Sequence, residues 1–168
     1  MGLLKTFYPS EIQDSTYVIP FEEWRGKGYQ GVIFDIDNTL VPHGAVADER
    51  SIALFQRLKE LGFSTMLLSN NKESRVKSFA GQVGSAYIYK AGKPSLKNYY
   101  KAMEEMGTNP KTTLFVGDQL FTDVWGAKRA GIYSILVKPI HPKEEIQIVL
   151  KRYLEKIVLF FYYREDAR

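Results

Sequence analysis

Asp35 and Asp37 stand two residues apart at the end of the apolar run Gly31-Val32-Ile33-Phe34, and Asn38, Thr39 and Leu40 follow them. Such a run reads as a short buried strand. Alternation along a strand would turn both carboxylates to the same side at its carboxyl end. Two like charges held that close are unfavourable unless a cation or a proton lies between them. A strand end in an open α/β sheet is also where ligands usually bind. The pair therefore points to metal-assisted chemistry. Asp and Asn after a strand also serve as turn residues and helix caps, so the pair alone decides nothing.

Three further polar clusters fall at comparable places. Ser69-Asn70-Asn71 ends a second apolar run just before a helical pattern, where it could cap the helix or meet an anion. Lys93 precedes Pro94, which blocks an earlier helix start and could hold the lysine over the strand ends. The run Thr113 to Val116 leads into Gly117-Asp118, with Asp123 five residues on at a helix start, as cap or as ionic group. Two look-alikes fail. Gly26-x-Gly28-x-x-Gly31 precedes a strand instead of following one, and Gly92-Lys93 lacks both the upstream Gly and the Ser or Thr of a P-loop. Three carboxylates, a hydroxyl and a lysine fit phosphoryl transfer through an aspartyl-phosphate, with a divalent cation offsetting the repulsion between carboxylate and phosphate.

The elements that must position these groups alternate. Strands are expected at 31–36, 63–68, 86–89, 113–116 and 132–137. Helices are expected at 48–61, 73–83, 95–106, 123–130 and 143–163. In the first helix Ile52, Phe55, Leu58 and Leu61 form the apolar face and Gly62 closes it. Pro20 to Trp24 reads as a short helix within a leader of mixed character. Alternation of this kind means βαβ units and a mostly parallel sheet. The expected fold is an α/β Rossmann-like three-layer sandwich with five strands. The organisation expected is one domain over residues 1–168: a leader at 1–29, a catalytic core at 30–137 and the terminal helix at 143–163.

The bulk numbers narrow the chemistry. With 45% hydrophobic and 25% charged residues, the 168-residue chain is an ordinary globular one rather than a disordered one. It has no cysteine and two histidines, His43 and His141, so thiolate sites are excluded and an oxygen-liganded ion such as Mg²⁺ suits it best. A net charge of +4 without clustered Lys and Arg favours anionic substrates but leaves no nucleic-acid footprint. No run suits a signal peptide or a membrane span, which fits a cytoplasmic protein.

Together, the four motifs resemble those of the haloacid dehalogenase superfamily: D-x-D-x-T, a Ser after the second strand, a Lys, and G-D-x-x-x-x-D, in order over roughly residues 30–137. The spellings Asp-Asn-Thr-Leu-Val, Ser-Asn-Asn, Tyr-Lys-Ala-x-Lys-Pro and Gly-Asp-Gln-Leu-x-Thr-Asp are similar to the YqeG-like group of subfamily IIIA phosphatases, related to mitochondrial phosphatidylglycerophosphate phosphatases. Phe7-Tyr8-Pro9 fits that group too, whereas Gly92 stands where a second basic residue is expected. The resemblance implies Asp35 as nucleophile and Asp37 as general acid/base. Ser69 and Lys93 would hold the phosphate, with Asn38, Thr39 and Asn70 on the substrate side. Mg²⁺ would lie with Asp35, Asp118 and the Asp37 carbonyl, supported by Asp123.

Only 23 residues separate Ser69 from Lys93, and about a dozen follow the first strand, so neither gap holds a cap domain. An uncapped site admits a large phosphoester, and the resemblance favours phosphatidylglycerophosphate. The alternatives are a soluble sugar-phosphate or nucleotide phosphatase covered by homo-oligomerisation, and a receiver-like phospho-Asp module. Receivers carry the phosphoacceptor after the third strand, where this chain has Tyr89-Lys90-Ala91. The apolar stretch Ile157 to Tyr163, flanked by Lys156 and Arg164, suits burial against the domain or a second copy. It also suits a peripheral membrane contact.

Overall fold

The computed structural model describes residues 2–141 and 146–167. Six strands, β1 (Glu11–Gln13), β2 (Gly31–Phe34), β3 (Ser64–Leu68), β4 (Ala86–Ile88), β5 (Thr113–Gly117) and β6 (Tyr133–Val137), form one sheet. The helices are α1 (Phe21–Gly26), α2 (Glu49–Glu60), α3 (Glu73–Val83), α4 (Lys97–Met106), α5 (Trp125–Arg129) and α6 (Ile146–Asp166). The strand order is β1-β6-β5-β2-β3-β4, and every pairing is parallel.

The layers follow from alternation in a fully buried strand. Val32 and Phe34 of β2 pack into a cluster with Leu54, Phe55 and Leu58 of α2 and Val76 and Phe79 of α3. Ile33, between them, turns to the opposite face and meets Tyr99, Ala102 and Met103 of α4 and Ala127 of α5. Helices thus cover both faces of a parallel sheet, as the alternating pattern predicts.

Three expectations need correction. The sheet has six strands, because the leader supplies β1 along the edge of β6, with Glu11 opposite Ile135 and Gln13 opposite Val137. Glu-Ile-Gln has no readable pattern; the open edge of β6 makes it a strand. The buried face of α2 is Ser51, Leu54, Phe55 and Leu58, whereas Ile52 is 42% exposed. A capping box starts the helix and includes Ser51 on that buried face: Asp48 accepts from the Ser51 N–H while the Ser51 hydroxyl meets the Asp48 backbone. The helix expected from Asp123 begins as a π-turn over Leu120–Val124 and becomes α5 only at Trp125. The expected start of the last helix, Lys143, lies outside the described residues.

A third cluster braces the site from one side. Leu120, Val124 and Leu136 pack with Val158 of α6, and Phe7, Tyr8 and Ile12 of the leader close over them. The Phe7 ring meets Phe121 edge-on at 5.0 Å, and Tyr8 meets Tyr162 at 5.3 Å. Among the described residues no helix is long and apolar enough to cross a membrane.

Candidate active site

The chain runs from β2 to β3 on one side and reaches β5 on the other only after β4, so β2 and β5 flank the switch point of the sheet. A crevice opens outside the carboxyl ends of the strands at such a point. Asp35 follows β2 directly, and its N–H continues the ladder to the Val116 carbonyl at 3.0 Å. Asp118 follows β5 directly. The two carboxylates that the sequence places on different strands therefore meet because those strands are neighbours.

Asp35, Asp118 and Asp123 each bring one carboxylate oxygen within 4.8 Å of the others, and all three are buried. Lys93 bridges the group, donating to Asp35 Oδ1 at 2.9 Å and to Asp123 Oδ1 at 2.7 Å. Asp118 Oδ1 accepts the Thr39 hydroxyl at 3.0 Å, and Asp123 Oδ2 accepts the Gln119 N–H at 3.1 Å. The Tyr99 hydroxyl fixes the π-turn beneath by donating to the carbonyls of Thr122 and Asp123. Asp123 thus both ties its own turn and joins the ionic cluster. Gly117 lets it approach: a Cβ there would fall 2.5 Å from Asp123 Oδ2.

The electrostatics record the crowding. Burial pushes the Asp35 carboxyl up to about 6, with Asp123 and Asp37 adding to the push and Lys93 resisting it. Asp118 is driven well above the usual carboxylate range, first by burial and then by Asp35 and Asp123, against the pull of Arg152. Burial disfavours the charged Lys93, but Asp123 and Asp35 outweigh it and hold the ammonium well above its ordinary value. Among the described residues the three buried carboxylates outnumber the cations bonded to them, Lys93 and Arg152.

Asp37 has a different setting. Its side chain is outside the triplet and is held by the Gly44 N–H at 2.7 Å, Arg75 at 2.9 Å and the Asn71 amide at 3.3 Å. Burial works to raise its pKa, yet those three donors win and hold the carboxyl below the usual range. β2 ends at Phe34, so strand alternation does not aim this residue. The loop does: Asn38 takes a left-handed φ of 61°, and Asp37 bridges back to Val41.

Asp35, Asp37, Ser69, Asn70 and Lys93 line one cleft of about 310 Å³, together with Asn71, His43, Gln119 and Thr122, and with Ile148 and Lys151 of α6. The Ser69 hydroxyl accepts the Asn71 N–H, so it shapes this turn, while the helix itself starts after Lys72 with no side-chain cap. Asn70 clamps Lys93 by two bonds, donating to its carbonyl at 3.1 Å and accepting its N–H at 2.8 Å. At Gly92 a left-handed φ of 68° explains glycine where a basic residue was expected. Thr39, Asp118 and Asp123 are buried and do not line the cleft. Asn38 does not line it either: its Oδ1 accepts the His141 N–H, and its carbonyl accepts that of Ile140.

Sequence reasoning missed Arg75, Arg152, Glu155 and Lys151. Arg75 sits in the first turn of α3 and reads as solvated surface until Asp37 is seen opposite. Arg152 and Glu155 are an oppositely charged pair three apart in a largely apolar helix, a signal that was available.

The family model described as haloacid dehalogenase-like hydrolase matches residues 45–131, which include Ser69, Lys93, Asp118 and Asp123 and begin after Asp37. The chain is 36% identical over 158 residues to the Bacillus subtilis (strain 168) protein named "Probable phosphatase YqeG", covering 94% of this chain and 92% of that one. It is 27% identical over 165 residues to "Phosphatidylglycerophosphate phosphatase 1, chloroplastic/mitochondrial" of Arabidopsis thaliana, covering 86% of this chain and 47% of that longer protein. In fold it is similar to the cobalt-bound form of the deoxy-D-mannose-octulosonate 8-phosphate phosphatase of Haemophilus influenzae, with a TM-score of 0.55 at 14% identity over 67% of this chain and 70% of that one. A protein from Listeria monocytogenes serotype 4b gives a TM-score of 0.54 at 18% identity, over 69% and 84% of the two chains. The crowded carboxylates at the switch point, the matched half of the chain and a relative alike over nearly its whole length agree: the chain belongs to the haloacid dehalogenase-like hydrolases and is a phosphatase.

Proposed function

We propose that this phosphatase is a Mg²⁺-dependent phosphomonoester hydrolase that works through an aspartyl-phosphate on Asp35, with phosphatidylglycerophosphate as its substrate. The observation that carries the reading is the buried triplet Asp35, Asp118 and Asp123, with oxygens within 4.8 Å of one another, whose cation partners among the described residues are Lys93 and Arg152. An oxygen-only donor set of this kind fits a hard divalent ion. Asp35 and Asp118 would hold it, with the Asp37 carbonyl, and Asp123 would support them. When bound, Mg²⁺ supplies the counter-charge that lets a carboxylate approach a phosphate dianion.

The chain's own groups do the rest. Ser69, Asn70 and Lys93 at the cleft wall hold the phosphate oxygens. Asp35 attacks phosphorus as the bond to the leaving oxygen breaks, and Asp37 gives that oxygen its proton. Asp37, again a carboxylate, then takes a proton from water as the water oxygen attacks the aspartyl-phosphate, releasing inorganic phosphate and restoring Asp35. The donors around Asp37 favour its ionised form, which suits the second step; an incoming dianion favours the protonated form needed for the first.

Two observations support a lipid substrate. Among the described residues no cap covers the cleft, and α6, which lines it with Ile148 and Lys151, turns Leu150, Tyr153, Leu154, Ile157 and Phe160 outward, each more than half exposed. A helix with aromatic and aliphatic residues on one face and lysines beside them suits a peripheral membrane contact. The name of the Arabidopsis relative agrees with it. The test has two arms. Hydrolysis of an aryl phosphate should require Mg²⁺ and vanish in Asp35→Asn; activity that survives either change contradicts the mechanism. Liposomes carrying phosphatidylglycerophosphate should lose their terminal phosphate, and lipid left intact beside rapid turnover of sugar phosphates would move the substrate to soluble metabolites.

A further inference from the structure

Helix α6 does more than wall the cleft, because two of its charged side chains turn inward to the carboxylate cluster. The Arg152 guanidinium donates through Nη2 to Asp118 Oδ2 and through Nη1 to the Asp118 carbonyl and to Glu155 Oε2, the last at 3.0 Å. Glu155 is 5% exposed, and its other oxygen accepts the Leu120 N–H at 2.9 Å, at the start of the π-turn that carries Asp123. Thr39 holds the opposite oxygen of Asp118 at 3.0 Å. Both oxygens of Asp118 and its backbone carbonyl are therefore tied, two of the three by one fork. With Oδ2 held by the fork and Oδ1 by Thr39, the carboxylate's plane is set from both ends. The fork's second arm ties it to its own backbone, which a point charge cannot do.

We propose that Arg152 is a positioning residue of the metal site, fixing the carboxylate of Asp118 so that it faces the space shared with Asp35 and Asp123. Glu155 keeps the fork aligned and ties it to the turn that carries Asp123. The contact comes from α6, which lies outside residues 45–131 matched by the family model. The inference rests on the reading of Asp35, Asp118 and Asp123 as the metal site, and its test separates the two.

Mg²⁺ is titrated by calorimetry into the metal-stripped 168-residue chain, its Arg152→Ala and Arg152→Lys variants, and Val158→Ala, with the melting temperature of each recorded. Val158 is 3% exposed and anchors α6 through apolar contact alone. Arg152→Ala should bind Mg²⁺ about 10- to 100-fold more weakly, the range for losing a partner of a metal ligand. Arg152→Lys should recover only part of this, since one ammonium cannot serve both the side chain and the carbonyl of Asp118. Val158→Ala should lower the melting temperature and leave Mg²⁺ affinity within about twofold, as no ligand partner is lost. Unchanged or tighter binding by Arg152→Ala would overturn the proposal and make the guanidinium a competitor for the carboxylate. Equal weakening by Val158→Ala would overturn it in favour of helix packing. A wild-type protein that takes up no Mg²⁺ would instead overturn the metal reading, and this inference with it.

Discussion

The inner and outer halves of the cleft each hold one carboxylate of the Asp-x-Asp pair, under opposite electrostatic conditions. On the inner side Asp35 sits among buried acids with Lys93 as the cation beside it, and burial lifts its carboxyl to about 6. On the outer side Asp37 meets a backbone N–H, a guanidinium and an amide, and is held below the usual range. Two residues of identical chemistry, two positions apart in the motif, thus sit in opposite surroundings. Under the proposed mechanism Asp35 takes the phosphoryl group and Asp37 carries the protons, and environments this different suit two separate tasks.

The sharpest break of this contrast is Asp35→Asn. It should reduce kcat on an aryl phosphate by more than about 10³-fold, because the covalent route is lost outright. Asp37→Asn should cost less, about 10²- to 10⁴-fold, and should leave Mg²⁺ binding near wild type, since only proton transfer is removed. A matching loss of Mg²⁺ affinity would show that the two halves are not separate. Arg75→Ala should lower kcat by roughly 10- to 100-fold by freeing Asp37 from its set geometry. Fluorescence-monitored unfolding would show that the variant is still folded. Lys151→Ala, at the exposed rim, should raise KM for anionic substrates less than about fivefold and leave kcat alone, as exposed charge contacts are weak. An effect on kcat would place α6 deeper in the chemistry than the cleft lining suggests.

The inner half was largely legible in the sequence and the outer half was not. Asp35, Lys93 and Asp118 follow directly from strand ends and a proline-stopped helix start, because parallel strands leave their carboxyl ends on one side. Ser69 was recognisable, though its hydroxyl serves a turn rather than a helix cap. Arg75 and Gly44 become partners of Asp37 only through the fold-back at Asn38, a left-handed turn that no hydrophobic period announces. β1 was hidden for a similar reason, since its three residues become a strand through the edge of β6 rather than through any pattern of their own. The expected apolar face of α2 missed Ser51 and Leu54 because it was drawn through Ile52, whereas the buried set 51, 54, 55 and 58 includes a polar residue that also serves the helix cap. Local periodicity finds elements. Contacts distant in sequence decide what the outer half of the cleft contains.

A crystal structure with Mg²⁺ and trifluoroberyllate, a stable mimic of a carboxyl-bound phosphoryl group, tests the central claim most directly. The account predicts the beryllium bonded to a carboxylate oxygen of Asp35, its fluorines near Ser69 and Lys93, and the ion between Asp35 and Asp118. Trifluoroberyllate on any other residue, or an ion bound away from Asp118, would contradict it.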